Sequence, residues 1–168
     1  MSRIRLPFPL VALAVVAAGL ALPACTTTPS FGPSGEPPPP AGAPAMPSRY
    51  TPEEIVGRWG YTAYHKEADR VRTETAARGQ CRQPYVIGRG PGGGVMMHLA
   101  DQRQAVELRL KGGPGGKNYI GPADEEAGGP QDREIVSFDG RVLITRYVDP
   151  DAGNRYGNMV YVRCGPRA

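Results

Sequence analysis

The chain has 168 residues and a formal charge of +4, with 20 basic and 16 acidic side chains. Two of the basic residues, Arg3 and Arg5, fall in an amino-terminal leader, and without them 18 basic residues face 16 acidic ones. So small an imbalance gives no reason to expect nucleic acid or another polyanion as a partner. Met1 to Arg5 is a short positive region, and Leu10 to Leu22 is apolar or small throughout. A membrane span needs about 20 apolar residues, so this stretch suits the core of a signal peptide better than a transmembrane helix.

The leader ends in Leu22-Pro23-Ala24-Cys25. This tetrapeptide resembles the lipobox of bacterial lipoproteins, with an aliphatic residue at −3, a small residue at −1 and cysteine at +1; Pro23 departs from the usual small residue at −2. The resemblance implies removal of residues 1–24 as a signal peptide. It also implies a diacylglyceryl thioether on Cys25 and a further acyl chain, typically palmitate, on the new amino group. A single acyl chain binds membranes only marginally, so a lasting anchor needs several. Thr26, not Asp, follows the cysteine, which by the same resemblance implies sorting to the outer membrane, facing the periplasm. Residues 25–50 then form the lipidated cysteine and a tether rich in Pro, Ala, Ser, Thr and Gly, with an unbroken run from Pro37 to Pro40. That composition favours solvated polyproline II and cannot build a core. Residues 51–168 remain for a single globular domain, long enough to bury a modest core.

Thr51-Pro52-Glu53-Glu54 predicts a short helix, with threonine as cap, proline at the first turn and early acids, ending near Gly57. Arg58 to His65, with Trp59, Tyr61, Thr62 and Tyr64, predicts the first strand. Lys66 to Arg78 predicts the longer helix, with Ala68, Val71 and Thr75 on its apolar face, a Glu74–Arg78 pair and Gly79 as C-cap. Strands follow at Tyr85–Ile87, Gly94–Leu99, Gln104–Leu110 and Asn118–Ile120. Among these, Val106, Leu108 and Leu110 alternate with Glu107 and Arg109. Glycine-rich loops at 88–94 and 112–116 and a polar loop at 121–131 separate them. Glu134–Phe138 and Arg141–Val148 flank Asp139-Gly140, which predicts a two-residue type I′ hairpin with Phe138 opposite Arg141. Both faces of that hairpin carry apolar side chains, Val136, Phe138 and Leu143 on one and Ile135, Val142 and Ile144 on the other, as a barrel wall under an outer helix would require. Residues 149–154 read as a turn-rich loop and Tyr156–Cys164 as the closing strand.

The sum is a mainly β domain of about eight short strands with one helix after the first, an antiparallel meander closing as a small barrel or a sandwich. Gly57-Arg58-Trp59 at the start of the first strand resembles the Gly-x-Trp that opens lipocalins and related calycins. The resemblance implies a barrel in which Trp59 plugs one end; an ordinary core tryptophan is the alternative.

Cys81 and Cys164 are the two cysteines left after processing, and an oxidising compartment makes a disulfide between them the default. His65 and His98 share no zinc-ligand spacing with them, so no metal and no cofactor is expected. Met96, Met97 and His98 are adjacent strand residues pointing to alternate faces, which argues against a copper site. No nucleophile, base or zincin motif is present, and Ser137 is the sole serine beyond residue 50. An enzyme is therefore not expected. The expectation is an envelope module that binds a small ligand or a protein, anchored to a membrane. Of the aromatic set Trp59, Tyr61, Tyr64, Tyr85, Tyr119, Tyr147, Tyr156 and Tyr161, the first four are the candidate ligand contacts, and about half the set would simply pack the core. The alternative is a periplasmic inhibitor of a protease or lysozyme, acting through the loops 88–94 and 112–116 or through the amino-terminal segment.

Overall fold

The computed structural model describes residues 46–165. The predicted leader, the predicted lipidation site Cys25 and most of the predicted tether lie outside the described residues. Eight antiparallel strands form a closed barrel in sequence order: β1 (Gly57–Tyr64), β2 (Tyr85–Arg89), β3 (Val95–His98), β4 (Ala105–Gly112), β5 (Asn118–Gly121), β6 (Arg133–Phe138), β7 (Val142–Tyr147) and β8 (Asn158–Arg163). Closure comes from β8 pairing back onto β1 over six residues, Trp59 opposite Arg163 through Tyr64 opposite Asn158. No strand edge remains open, which removes the exposed edge hydrogen-bonding groups that promote aggregation.

The interior follows the two-residue period of the strands. Trp59, Ile87, Val95, Met97, Leu108, Ile120, Ile135, Leu143, Met159 and Tyr161 make one buried cluster, with Val106 and Leu110 packed against it. Glu107, between those inward residues, turns outward to the β2–β3 loop. A second cluster lies outside the wall, where Tyr64, Ile144, Val160 and Val162 are covered by Ala77. Ala77 belongs to α2 (Arg70–Gly79), which follows a 3-10 turn at Glu67–Asp69.

The helix packs through a different face from the one the sequence pattern predicts. Thr73 and Ala77 are buried, while Val71 is 76% exposed. The cause lies on the strand beneath. A Cβ on Gly60 would overlap the carbonyl oxygen of Ala77, so the helix sits directly on bare β1 backbone. Only small side chains fit such a close approach, and Thr62 Oγ1 adds a bond to the Thr73 carbonyl at 3.2 Å. Glu74 pairs backward with Arg70 at 3.1 Å instead of forward with Arg78, and Gly79 closes the helix from inside.

The β6–β7 hairpin turns one residue later than expected. Asp139 N–H donates to the Val142 carbonyl at 3.3 Å, so Gly140 and Arg141 form the two-residue loop. Gly140 has φ 86°, while Arg141 does not take a positive φ; glycine at the first position marks a type II′ turn. Asp139 Oδ1 accepts from the Arg141 and Val142 amides at 2.8 and 2.7 Å, a side-chain turn that outweighs the I′ preference. Phe138 therefore faces Leu143, and a bulge between Ile135 and Ser137 resets the alternation. Ile135 enters the barrel and Val136 is left exposed, the reverse of the predicted faces. The sequence pattern also missed a helix. Residues 149–154, read as a loop, belong to α3 (Pro150–Tyr156), capped by Asp149 Oδ1 accepting from the Ala152 amide at 2.7 Å with proline at the first helical position.

Residues 46–50, at the end of the predicted tether, lie on the barrel. Met46 bridges Gly112, and Asn118 Oδ1 accepts from the Arg49 amide at 2.7 Å. The chain then enters α1 (Pro52–Ile55), where Glu54 accepts from the Thr51 amide at 2.9 Å.

Cys81 and Cys164 are joined by a disulfide with Cα atoms 5.5 Å apart. It ties the end of α2 to the end of β8, the strand that α2 covers. Replacing both cysteines by alanine should lower unfolding stability by about 4.5 kcal/mol in the chain-entropy picture, measured by urea unfolding against the oxidised chain.

Candidate functional site

The two ends of the barrel are built differently. At one end Trp59 is fully buried and its Nε1–H donates to the Ile55 carbonyl at 2.9 Å. The Arg163 guanidinium lies 4.1 Å from the centre of the indole ring. It also donates to the carbonyls of Glu54, Val56 at 3.2 Å and Gly140 at 2.9 Å. Phe138 packs edge-on to Trp59 and Tyr50 edge-on to Phe138. This end is plugged.

The opposite end opens into a cavity of about 230 Å³ lined by Tyr61, Tyr85, His98, Arg133, Tyr147 and Tyr161, with Leu99, Asp101, Gln102, Tyr156 and Met159 at its margins. Register assembles it. Tyr61 is opposite Tyr161 across β1–β8, and Arg133 is opposite Tyr147 across β6–β7. The Tyr61 ring centre lies 5.0 Å from that of Tyr161 and 5.7 Å from that of Tyr85. Tyr85 Oη accepts from the His98 amide and pairs with His98 Nδ1, both at 3.1 Å. Burial pushes the Tyr161 and Tyr61 phenols up from their ordinary values, so both stay neutral hydroxyls at physiological pH.

Arg133 is the unusual member. It is 2% exposed, and no carboxylate among the described residues lies within ion-pair distance of it. Its neighbours are the Tyr147 ring, 4.8 Å from the guanidinium carbon, and Met97 Sδ at 4.0 Å. Its Nε–H meets no acceptor. The adjacent acid does not serve it, because Asp132 points to the other side of the wall. There Asp132 pairs with Lys111 at 2.6 Å and accepts from the Gly128 amide at 2.8 Å. Burial pushes the Asp132 carboxyl up, and Lys111 acts against that shift.

A clasp crosses the rim of the open end. Asp101, in the left-handed region with φ 59°, accepts from Tyr156 Oη at 2.6 Å and pairs with Arg155 at 2.8 Å. It joins the β3–β4 loop to α3. Away from the cavity, the glycine-rich β2–β3 loop is held by Glu107, which accepts from the Gly92 and Gly94 amides at 2.9 and 2.7 Å.

Of the four tyrosine and tryptophan residues singled out from sequence, Tyr61 and Tyr85 line the cavity. Trp59 sits at the plugged end, and Tyr64 lies outside the wall beneath α2, because even-numbered β1 residues face the helix. His98 lines the cavity, and His65 stands near Gly157 on the outside. Among the described residues no three His, Cys, Asp or Glu side chains gather as a metal site would require. Arg133, Met159 and Asp101 were not legible as site residues. Arg133 precedes the predicted start of its strand, and the bulge at Val136 hides which face it takes. A comparison with models of known protein families, with curated proteins and with solved structures finds no match to this chain.

The Tyr156 and Arg155 bonds hold the Asp101 carboxyl below the ordinary aspartate range. The clasp is therefore formed above that range and lost as pH falls through the lowered midpoint. An NMR titration of the Asp101 carboxyl carbon should give a midpoint below that of an unstructured aspartate, moving up in Y156F; a midpoint at or above the unstructured value would show that the clasp does not form.

Proposed function

We propose that this protein is a lipid-anchored module of the bacterial envelope that binds a ligand, without catalysis, in the open end of its barrel. The observation that carries the reading is the asymmetry of the two ends. One is sealed by Trp59 and Arg163, and the other is a concave aromatic cavity holding a buried cation. Pockets that combine apolar walls with a few placed polar groups are the usual form of a small-molecule site. The plugging tryptophan also supports kinship with calycins, in which Gly-x-Trp opens the barrel.

The proposed anchor lies on Cys25, upstream of the described residues. The chain reaches the barrel through residues 46–50, which run beside Gly112 and Asn118 to the plugged end. In cells, C25S should lose acylation by intact-mass spectrometry and move from the membrane to the soluble envelope fraction. Retention of C25S on the membrane would remove the anchor from the proposal.

A second reading, inhibition of an envelope protease or lysozyme, draws on the β2–β3 loop. Its backbone is fixed by Glu107 and by Arg109, which donates to the Gly92 carbonyl, and a preorganised loop loses little entropy on docking. Native mass spectrometry of the protein released from its own envelope separates the two. A bound small molecule, lost in L99W where the new side chain fills the cavity, supports the ligand reading. A stoichiometric hydrolase unaffected by L99W supports inhibition and overturns it.

A further inference from the structure

We propose that the cavity binds a small monocarboxylate, its carboxylate on the guanidinium of Arg133 and its apolar or aromatic body against Tyr61, Tyr85 and Tyr161; this rests on the reading of the open end as a ligand site.

A guanidinium stays charged under all physiological conditions, and removing one from water costs several kcal/mol unless it is paired and hydrogen-bonded. Arg133 is almost fully buried, with the ring and hydroxyl of Tyr147 and a thioether as neighbours and Nε–H without an acceptor. Both neighbours are neutral, and neither supplies the anion that a buried cation of this kind pairs with. The chain supplies a carboxylate one residue away and yet commits it to Lys111 outside the wall. Inside, the charge is left facing a cavity. The fork of an arginine, Nε–H beside a terminal N–H, matches the two oxygens of a carboxylate.

Charge and volume narrow the class. Among the described residues, Arg133 is the one arginine or lysine lining the cavity. The charged groups at the rim, Asp101 and Arg155, neutralise each other at 2.8 Å. One net positive charge suits a monoanion better than a phosphate dianion. An apolar cavity of about 150 Å³ admits benzene, so about 230 Å³ accommodates a single ring or a short chain together with its carboxylate. The walls are phenol rings, whose faces take apolar or aromatic bodies and whose hydroxyls can reach a polar edge.

The test is calorimetry on the full-length chain with benzoate, phenylacetate and hexanoate as probes, against benzamide, benzylamine and inorganic phosphate. At least one carboxylate should bind more than tenfold tighter than benzamide, with no binding of benzylamine. R133M should lose at least tenfold for that carboxylate while leaving benzamide unchanged. R133K, which keeps the charge but not the fork, should fall between. R133M should also melt no lower than the parent, since an apolar chain replaces an unpaired buried charge. If R133M fails to fold, the R133K comparison decides. Equal affinity for benzoate and benzamide, or unchanged carboxylate binding in both variants, overturns the anion assignment and leaves the ligand reading standing. Tighter binding of phosphate than of any carboxylate overturns the class. Absence of binding to every carboxylate at millimolar concentration overturns the inference, whereas the small molecule sought by native mass spectrometry tests the cavity itself.

Discussion

The fold depends on one contact, the Arg163 guanidinium laid over the Trp59 indole. Arg163 is the last residue of β8 and Trp59 lies near the start of β1, so the contact sits at the seam where a sheet becomes a barrel. The same guanidinium donates to carbonyls in α1, in the segment after it and in the β6–β7 turn. It thus satisfies backbone groups that a barrel end leaves without ladder partners. Cation–π contact and multiple carbonyl acceptors let a charged side chain lie within the protein at small net cost. The disulfide at the next residue fixes the seam from outside. One end of the barrel is therefore determined by a short stretch of chain, residues 55–59 and 162–164, and the rest of the molecule closes around it.

Two arginines face the interior from opposite ends, and the contrast between them is what favours the open end as the proposed ligand site. Arg163 and Arg133 each lie near an aromatic ring. Arg163 donates to three carbonyl oxygens, whereas Arg133 meets a thioether and keeps its Nε–H without an acceptor. The first is a structural plug. The second keeps an unpaired donor in a buried setting, which is the observation on which the proposed ligand site rests. The open end differs from the plugged end in one further respect. It is crossed by the exposed Asp101–Arg155–Tyr156 clasp, whose solvent-exposed ion pair contributes little stability.

Much of the architecture was legible in the sequence. Alternation in β4, turn signals at regular spacing and the count of short strands give the meander, and apolar side chains on both faces of the β6–β7 hairpin require an outer cover. The errors have local causes. The hairpin register followed the Asp-Gly dipeptide, but the Asp139 side chain bonds two amides and moves the turn by one residue. The bulge at Val136 then reverses the faces. The face of α2 was assigned by apolar residues, yet Gly60 demands small ones. Of the site, the tyrosines were visible as a set but not by position, since a chain of alternating residues does not say which end of the barrel is plugged. Arg133 was invisible for the same reason that makes it informative: nothing in its neighbourhood along the chain marks it as buried.

The reversal at the bulge decides which side chains of β6 face the interior. Without an extra residue in β6, Ile135 and Arg133 would share the outward parity that Phe138 and Leu143 impose from the turn. The bulge at Val136 allows Phe138 to complete the plugged end while Ile135 and Arg133 still point inward at the other. A strand that serves two ends with different requirements needs such a break, and bulges recur where a side chain must be re-aimed. Val136 bears the cost as an exposed apolar residue. The irregularity in the wall and the cation in the cavity are thus one feature, set by a single inserted residue.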